Sequence, residues 1–164
     1  MAKIKLDELG FAYVVLYARQ KDIPAMLSED FKVDTGANCT TLSRDWLFLL
    51  GYDEEWIKTG RRLEGNARPT VASGLPIDDC YEVILPEIHI GGWVGYNWPV
   101  LTSLSLSFKF LLGTDSMQFF NWNFDYENNV CRFDLIAGKC RLLFNQTEQS
   151  IHSINDAEQK QGKV

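Results

Sequence analysis

The amino-acid sequence predicts an all-β (mainly β) domain that carries one or two short helices. Short runs of β-branched and aromatic residues recur along the chain, and clusters of Gly, Asn and Asp separate them, which is the pattern of strands joined by turns. Hydrophobic residues make up 46% of the 164 residues and charged residues 23%. These proportions are typical of one globular domain with a buried core.

The first part of the chain is predicted to form strands that lead into a tight turn. Strands are expected over residues 11–17 and 29–33, with a turn at 19–22 between them. An extended piece is expected at 40–42, after the turn that follows the second strand. The second strand would therefore deliver the next residue, Asp34, to a turn at its end.

One short helix is predicted directly after residue 42. Ser43 is a preferred N-cap residue, Asp45 places a negative charge in the first turn, and Gly51 is typical of a helix C-terminus. The acidic run Asp53-Glu54-Glu55 is interpreted as a solvated turn.

The second half of the chain is predicted to consist of hairpins. The predicted strands are 69–75, 80–90, 97–101, 108–112, 122–126 and 130–135. The first two are expected to pair with each other, and Gly91-Gly92 is expected to form a second turn. One helical turn is expected at 116–120, and residues 127–129 should close the last hairpin because Asn tolerates the left-handed region.

Two motifs carry the chemistry that the sequence suggests. Asp34-Thr35-Gly36 follows the strand at 29–33, and Leu111-Leu112-Gly113-Thr114-Asp115 comes about eighty residues later. A carboxylate at a strand-to-turn junction is held by the strand and exposed by the turn, and Gly36 allows close approach of another backbone. These are the properties of an acid/base catalyst. The competing interpretation is an ordinary turn aspartate that bonds its own backbone.

Composition excludes several other functions. The net charge of −6 argues against nucleic acid as the main partner, and the short basic cluster of Lys58, Arg61, Arg62 and Arg68 is interpreted as a solvated loop.

The apolar runs are too short to span a bilayer, and the first residues lack the apolar stretch of a signal peptide, so we expect a cytoplasmic protein with no membrane partner. No nucleotide, metalloprotease or serine-hydrolase motif occurs, and we predict neither a metal nor a cofactor.

The remaining Cys, His and Trp residues are interpreted as structural. The four cysteines form no Cys-x-x-Cys pair and are expected to be reduced thiols, with Cys39 buried. His89, in an alternating run, is expected to face solvent, and Trp93, Tyr96 and Trp98 are expected to lie in the core or in an interface.

With these motifs the chain resembles the retropepsin-type aspartic proteases, the single-lobe family of retroviral proteases and their bacterial relatives. The matching segments come in the order of the family and span roughly residues 3–136: Val33-Asp34-Thr35-Gly36-Ala37, Thr40-Thr41-Leu42, Val71-Ala72-Ser73-Gly74 and Leu111-Leu112-Gly113-Thr114-Asp115. The resemblance implies a closed β-barrel that assembles as a two-fold homodimer. It implies a protease domain over 1–144, and residues 145–164 are interpreted as a polar, flexible tail.

The resemblance also implies roles for individual residues. Asp34 would be the catalytic aspartate, Thr35 would hydrogen-bond across to the loop of the second protomer, and Gly36 would contact the backbone of the substrate. Residues that would contact a peptide substrate are Gly36, Ala37, Asn38, Val71, Ala72, Ser73 and Gly74. The last four would lie at or near a mobile flap.

The chain departs from the family at three places, one of which is the segment 91–99, which has no counterpart there. Asn38 and Thr114 stand where retroviral members often carry an acid and an Arg that brace the dimer, and the flap lacks a glycine-rich tip. Peptide hydrolysis of this type needs two carboxylates, but the chain contains one Asp-Thr-Gly, so the second must come from another copy. The implied function is a homodimeric aspartic endopeptidase; the alternative is a catalytically silent module used for dimerisation or peptide binding.

Overall fold

The computed structural model describes residues 1–136 and confirms a mainly β architecture. The strands are β1 (Ala2–Lys5), β2 (Tyr13–Arg19), β3 (Met26–Val33), β4 (Arg61–Arg62), β5 (Cys80–Ile90), β6 (Trp93–Ser103), β7 (Leu111–Leu112), β8 (Phe120–Asp125) and β9 (Val130–Leu135). The helices are α1 (Arg44–Leu49), α2 (Glu54–Lys58) and α3 (Thr114–Met117). The predicted boundary at residue 144 and the tail beyond it lie outside the described residues.

The larger sheet has the strand order β4-β5-β2-β3-β7, and β6 pairs with β5. Strand β2 alternates strictly, so that Val14, Leu16 and Ala18 are buried and the residues between them are exposed. All pairs in this sheet are antiparallel except the short parallel pair of β3 and β7, which aligns Val33 with Leu112. That parallel pair places the end of β3 beside the second motif.

The predicted closed barrel is wrong, because no continuous strand ladder joins β6 to β7 within residues 1–136. Between them lies Thr41 alone, which forms single-residue bridges with Leu101 and with Leu111. The extended piece predicted at 40–42 cannot lengthen because Ser43 already caps α1. Thr41 therefore pairs with one residue of β6 and with one residue of β7, and no longer ladder forms on either side of it within residues 1–136.

A smaller sheet places the two ends of the described chain side by side. Its order is β1-β9-β8, so β9 lies in the centre and is paired on both edges. Gly91 lies against this sheet, since a Cβ there would be 2.6 Å from the ring of Phe133. The turn at Gly91-Gly92 therefore has two reasons for glycine: its left-handed backbone and this contact.

The predicted pairing of residues 69–75 with 80–90 is also wrong. Strand β5 pairs with β6 over almost its whole length, through the turn at Gly91-Gly92. Residues 69–77 instead fold back on themselves: Val71 N–H donates to Leu75 O at 2.9 Å, and Ile77 N–H donates to Pro69 O at 2.9 Å. An eleven-residue strand finds its partner across a two-residue turn sooner than across a loop.

The helices follow their capping residues. As predicted, the Ser43 side chain accepts a hydrogen bond from Asp45 N–H at 3.2 Å, and Gly51 is left-handed with φ +98°. Helix α2 was not predicted, although Asp53 caps it by accepting from Trp56 N–H at 2.8 Å. Five residues are too few to show a helical period, so the cap was the available signal.

The hydrophobic core confirms part of the aromatic prediction. Trp93 and Trp98 are buried, whereas Tyr96 is 40% exposed. A second, smaller cluster consists of Leu63, Cys80, Leu101 and Phe108 with Ile77 beside it. Within residues 1–136 no helix is long and apolar enough to cross a membrane.

Candidate active site

Asp34 lies directly after the last residue of β3 and begins a tight turn. Its N–H donates to Leu112 O at 3.0 Å, which continues the pairing of β3 with β7. Its carboxylate oxygen Oδ1 accepts a hydrogen bond from Gly36 N–H at 2.9 Å, and its carbonyl accepts one from Ala37 N–H at 3.2 Å. The carboxylate is thus oriented by the backbone of its own turn while the residue remains half-exposed.

The Leu-Leu-Gly-Thr-Asp motif lies against this turn. Thr114 N–H donates to Ala37 O at 2.9 Å, and Asp115 N–H donates to Asn38 O at 3.3 Å. Gly113 packs on the backbone of Cys39 so closely that a Cβ would lie 2.4 Å from the Cys39 carbonyl carbon. The structure therefore brings together the two motifs that the sequence singled out.

Sequence analysis missed a buried polar cluster next to the turn. Thr40 and Ser116 are almost fully buried, and the Thr40 hydroxyl contacts Asp115 Oδ1 at 2.8 Å and Ser116 Oγ at 2.6 Å. It also accepts from Gly113 N–H at 3.1 Å. The available signal in the sequence was Asp115, which follows the tightly packed Gly113 by two positions. Its hydrogen-bond partner Thr40 lies 75 residues away in the chain, so the cluster is not visible locally.

The predicted contact residues of the turn are accessible. Thr35, Gly36 and Asn38 are exposed, and Ala37 is half-buried. Within residues 1–136 the Thr35 side chain has no hydrogen-bond partner. A cross-protomer role for this hydroxyl stays a prediction.

The four predicted flap residues form an exposed turn. Val71, Ala72, Ser73 and Gly74 are all exposed, and Gly74 N–H donates to Val71 O at 2.8 Å. No hydrogen bond in the described part of the chain joins this turn to residues 34–38, so the structure does not bring the two sets together directly.

The stem of that loop, however, is connected to the turn that bears Asp34. Leu63 N–H donates to Cys80 O at 2.9 Å, and both residues belong to the smaller hydrophobic cluster with Leu101. Leu101 N–H in turn donates to Thr40 O at 2.9 Å. The stem of the loop therefore lies beside Thr40, at the end of the segment that begins with Asp34.

Two predictions for single residues need correction. Cys39 is exposed rather than buried, because its backbone occupies the contact with Gly113. Partial shielding of its thiol, and then the negative charge of Asp115, raise the pKa of Cys39. His89 does not face solvent freely: 14% of its side chain is exposed, and its ring contacts Glu87 at 3.3 Å.

The basic cluster is neutralised by acidic neighbours. Its ion pairs among residues 1–136 are Lys58–Glu54 at 2.9 Å, Arg61–Glu82 at 3.3 Å, Arg62–Asp79 at 3.3 Å, Arg62–Glu64 at 3.7 Å and Arg68–Asp78 at 2.7 Å. These pairs are mostly exposed and contribute little to stability. In the described part of the chain, no three His, Cys, Asp or Glu side chains are grouped as a metal site would require.

Comparisons with known proteins give a structural match. No protein-family model matches the sequence, and no curated protein matches it. Among solved structures, the chain is similar to a retropepsin-like aspartic protease from Rickettsia conorii, with 20% identity and a TM-score of 0.53. The match covers 79% of this chain and 86% of that one. The fold is therefore similar to that of a retropepsin-like aspartic protease.

Proposed function

We propose that this chain is an aspartic endopeptidase whose active form is a homodimer, with one catalytic aspartate from each protomer. The observation that carries the proposal is the meeting of the two motifs at the Asp34 turn: Asp34 N–H donates to Leu112 O at 3.0 Å and Thr114 N–H donates to Ala37 O at 2.9 Å, beside a half-exposed Asp34. The fold similarity to a retropepsin-like aspartic protease agrees with it.

The chemistry follows from two such carboxylates sharing one proton. The ionised Asp34 would take a proton from a water molecule as that water attacks the peptide carbonyl carbon. The protonated Asp34 of the second protomer would donate its proton to the carbonyl oxygen, giving a tetrahedral diol. As the C–N bond breaks, the newly protonated Asp34 gives its proton to the leaving nitrogen and one diol hydroxyl gives its proton to the carboxylate of the second protomer, which restores the singly protonated pair.

The second carboxylate has to come from another copy of the chain. The sequence contains one Asp-Thr-Gly, and Asp115, the other motif aspartate, is occupied by Thr40 and Ser116. Because Thr35 and Gly36 are exposed beside Asp34, a two-fold related copy could approach the same turn. A symmetric site of this kind contributes both carboxylates equally.

Replacing the carboxylate tests the proposal. We expect Asp34→Asn to keep the fold and to lower cleavage of a fluorogenic peptide library by about 100-fold or more. The matched control is Asp30→Asn, an exposed carboxylate on the same strand, which should leave cleavage unchanged. Undiminished cleavage by purified Asp34→Asn protein would refute the assignment.

A silent binding module is the second candidate, favoured by one observation. Asn38 and Thr114 offer backbone hydrogen bonds but no ion pair where retroviral members often have one. The same assay separates the two functions when peptide binding is measured in parallel. A module would bind peptides equally well with and without the Asp34→Asn substitution, and neither protein would cleave them.

A further inference from the structure

The carboxylate of Asp115 is the acceptor of a small hydrogen-bond cluster behind the catalytic turn. Its Oδ2 accepts Thr40 N–H at 3.1 Å, and its Oδ1 accepts the Thr40 hydroxyl at 2.8 Å and Ser116 N–H at 2.7 Å. Both carboxylate oxygens are therefore used, on a residue that is only half-exposed.

The direction of each hydrogen bond in this cluster can be deduced. The Thr40 hydroxyl has one proton to donate. A carboxylate oxygen has no proton of its own, so Asp115 Oδ1 is the acceptor and Thr40 is the donor. The 2.6 Å contact with Ser116 Oγ must then be a bond that Ser116 donates, and Gly113 N–H donates to the same oxygen. Both oxygens of Asp115 accept hydrogen bonds, so an Asn at position 115 would place its NH₂ group against an N–H or O–H donor of Thr40 or Ser116.

The cluster holds one end of the loop whose other end carries Asp34. The loop starts where Asp34 N–H bonds Leu112 O at 3.0 Å and finishes at Thr40, which Asp115 holds. Between these points the loop receives two further bonds from the same segment, at Ala37 O and Asn38 O. Of the groups outside the loop that accept or donate these hydrogen bonds, Asp115 is the one with a carboxylate, and hydrogen bonds to a charged acceptor are the stronger class.

We propose that Asp115 is a positioning residue that fixes the Asp34 loop within each protomer, in place of an ion pair at Asn38 and Thr114. The consequence for catalysis rests on the proposed function. The consequence for the loop does not, because it concerns the geometry of a single protomer.

The first experiment measures the loop directly. Amide hydrogen exchange is followed by NMR in the full chain, comparing Asp115→Asn with wild type. We expect the Ala37 and Thr114 amides to exchange at least about tenfold faster. The matched control is Asp125→Asn, another aspartate that accepts backbone and side-chain N–H groups, from Asn128. Unchanged exchange at Ala37 and Thr114 in Asp115→Asn would overturn the proposal.

The second experiment uses Thr40 and separates positioning from simple destabilisation. Thr40→Val keeps the shape but removes the hydroxyl, whereas Thr40→Ser keeps the hydroxyl. We expect faster Ala37 exchange in the Val variant and recovery to within about twofold of wild type in the Ser variant. Equal exchange rates of the Ala37 amide in both variants would show that the bond from the Thr40 hydroxyl to Asp115 does not hold the loop. This comparison decides the question even if the Asp115→Asn protein does not fold.

Kinetics then test the catalytic consequence. For folded Asp115→Asn we expect kcat to fall about 10- to 100-fold with KM changed by less than about twofold, because the catalytic group is misplaced rather than the substrate contacts. A decrease in kcat/KM that came from a higher KM alone, with kcat unchanged, would contradict this expectation. If wild-type protein cleaves no peptide, the proposed function fails, and the exchange data still decide whether Asp115 positions the loop.

Discussion

At the scale of single residues, glycines are required where two backbones meet. A Cβ on Gly113 would lie 2.4 Å from the Cys39 carbonyl carbon, and one on Gly60 would lie 2.4 Å from Glu82 O. Neither glycine has a left-handed backbone, so close approach is the reason in both cases. The sequence motif identified Gly113, whereas no motif near residue 60 predicted that Gly60 packs against the backbone of β5.

Gly113→Ala is predicted to damage both stability and activity. The new methyl group meets backbone rather than a flexible side chain, so the two loops must separate, at a cost of about 1–3 kcal/mol. Urea unfolding and peptide cleavage measure the two effects. Gly65→Ala is the control, since its surroundings are open although its φ is +57°; it should lose some stability and no activity. Wild-type stability and activity in Gly113→Ala would contradict the close contact.

At the scale of elements, a cluster of three polar side chains, Arg19, Glu87 and His89, links β2 to β5. Arg19 contacts Glu87 across the two strands, and His89 contacts the same carboxylate at 3.3 Å. Burial acts to raise the pKa of Glu87, but the hydrogen bonds and charges of Arg19 and His89 outweigh it, so the pKa is lowered. A carboxylate with a lowered folded-state pKa stabilises the fold above its unfolded pKa and loses that contribution as pH falls through the folded value.

Glu87→Gln is therefore predicted to be less stable than wild type at pH 7 and to approach wild type in acid. The difference should shrink as pH falls below about 4.5, the ordinary value of the group, because Glu87 of the unfolded chain becomes protonated there and folded Glu87 follows only at lower pH. Urea midpoints from pH 3 to pH 7 measure it. Glu8→Gln, an exposed loop residue, should show no such trend; a difference for Glu87→Gln that stays constant with pH would refute the linkage.

At the scale of the whole molecule, the smaller sheet limits how two copies can meet. Terminal strands are natural candidates for an interface between two copies, yet the terminal strands β1 and β9 pair with each other within one protomer. Because β8 occupies the other side of β9, the free edges of this sheet among the described residues are those of β1 and β8. A dimer that uses this sheet would have to add strands at one of these edges.

Peptidase activity is predicted to depend on protein concentration. If each protomer supplies one aspartate, specific activity should rise with concentration until the dimer is fully formed. Thr35→Val should shift that rise to higher concentration without changing the unfolding midpoint of the dilute, monomeric protein, and Thr35→Ser should restore the wild-type concentration dependence. Sedimentation performed alongside gives the oligomeric state, and full specific activity in a sample that sediments as monomer would exclude the shared site.

Features set by near neighbours were predictable from the sequence. The turn that bears Asp34, the caps of α1, the turn at Gly91-Gly92 and the left-handed Asn129 with φ +57° each depend on a few consecutive residues. Their conformations follow from side-chain size and local hydrogen bonding, and such causes are visible in the printed sequence.

Tertiary structure decided which of these pieces meet. The partner of β5, the open gap that Thr41 bridges and the exposure of Cys39 all depend on contacts between distant segments. The hydrogen bonds between Thr40 and Asp115 join residues 75 positions apart. Their formation requires β3 and β7 to pair in one register, and that register is a property of the packed sheet rather than of either segment alone.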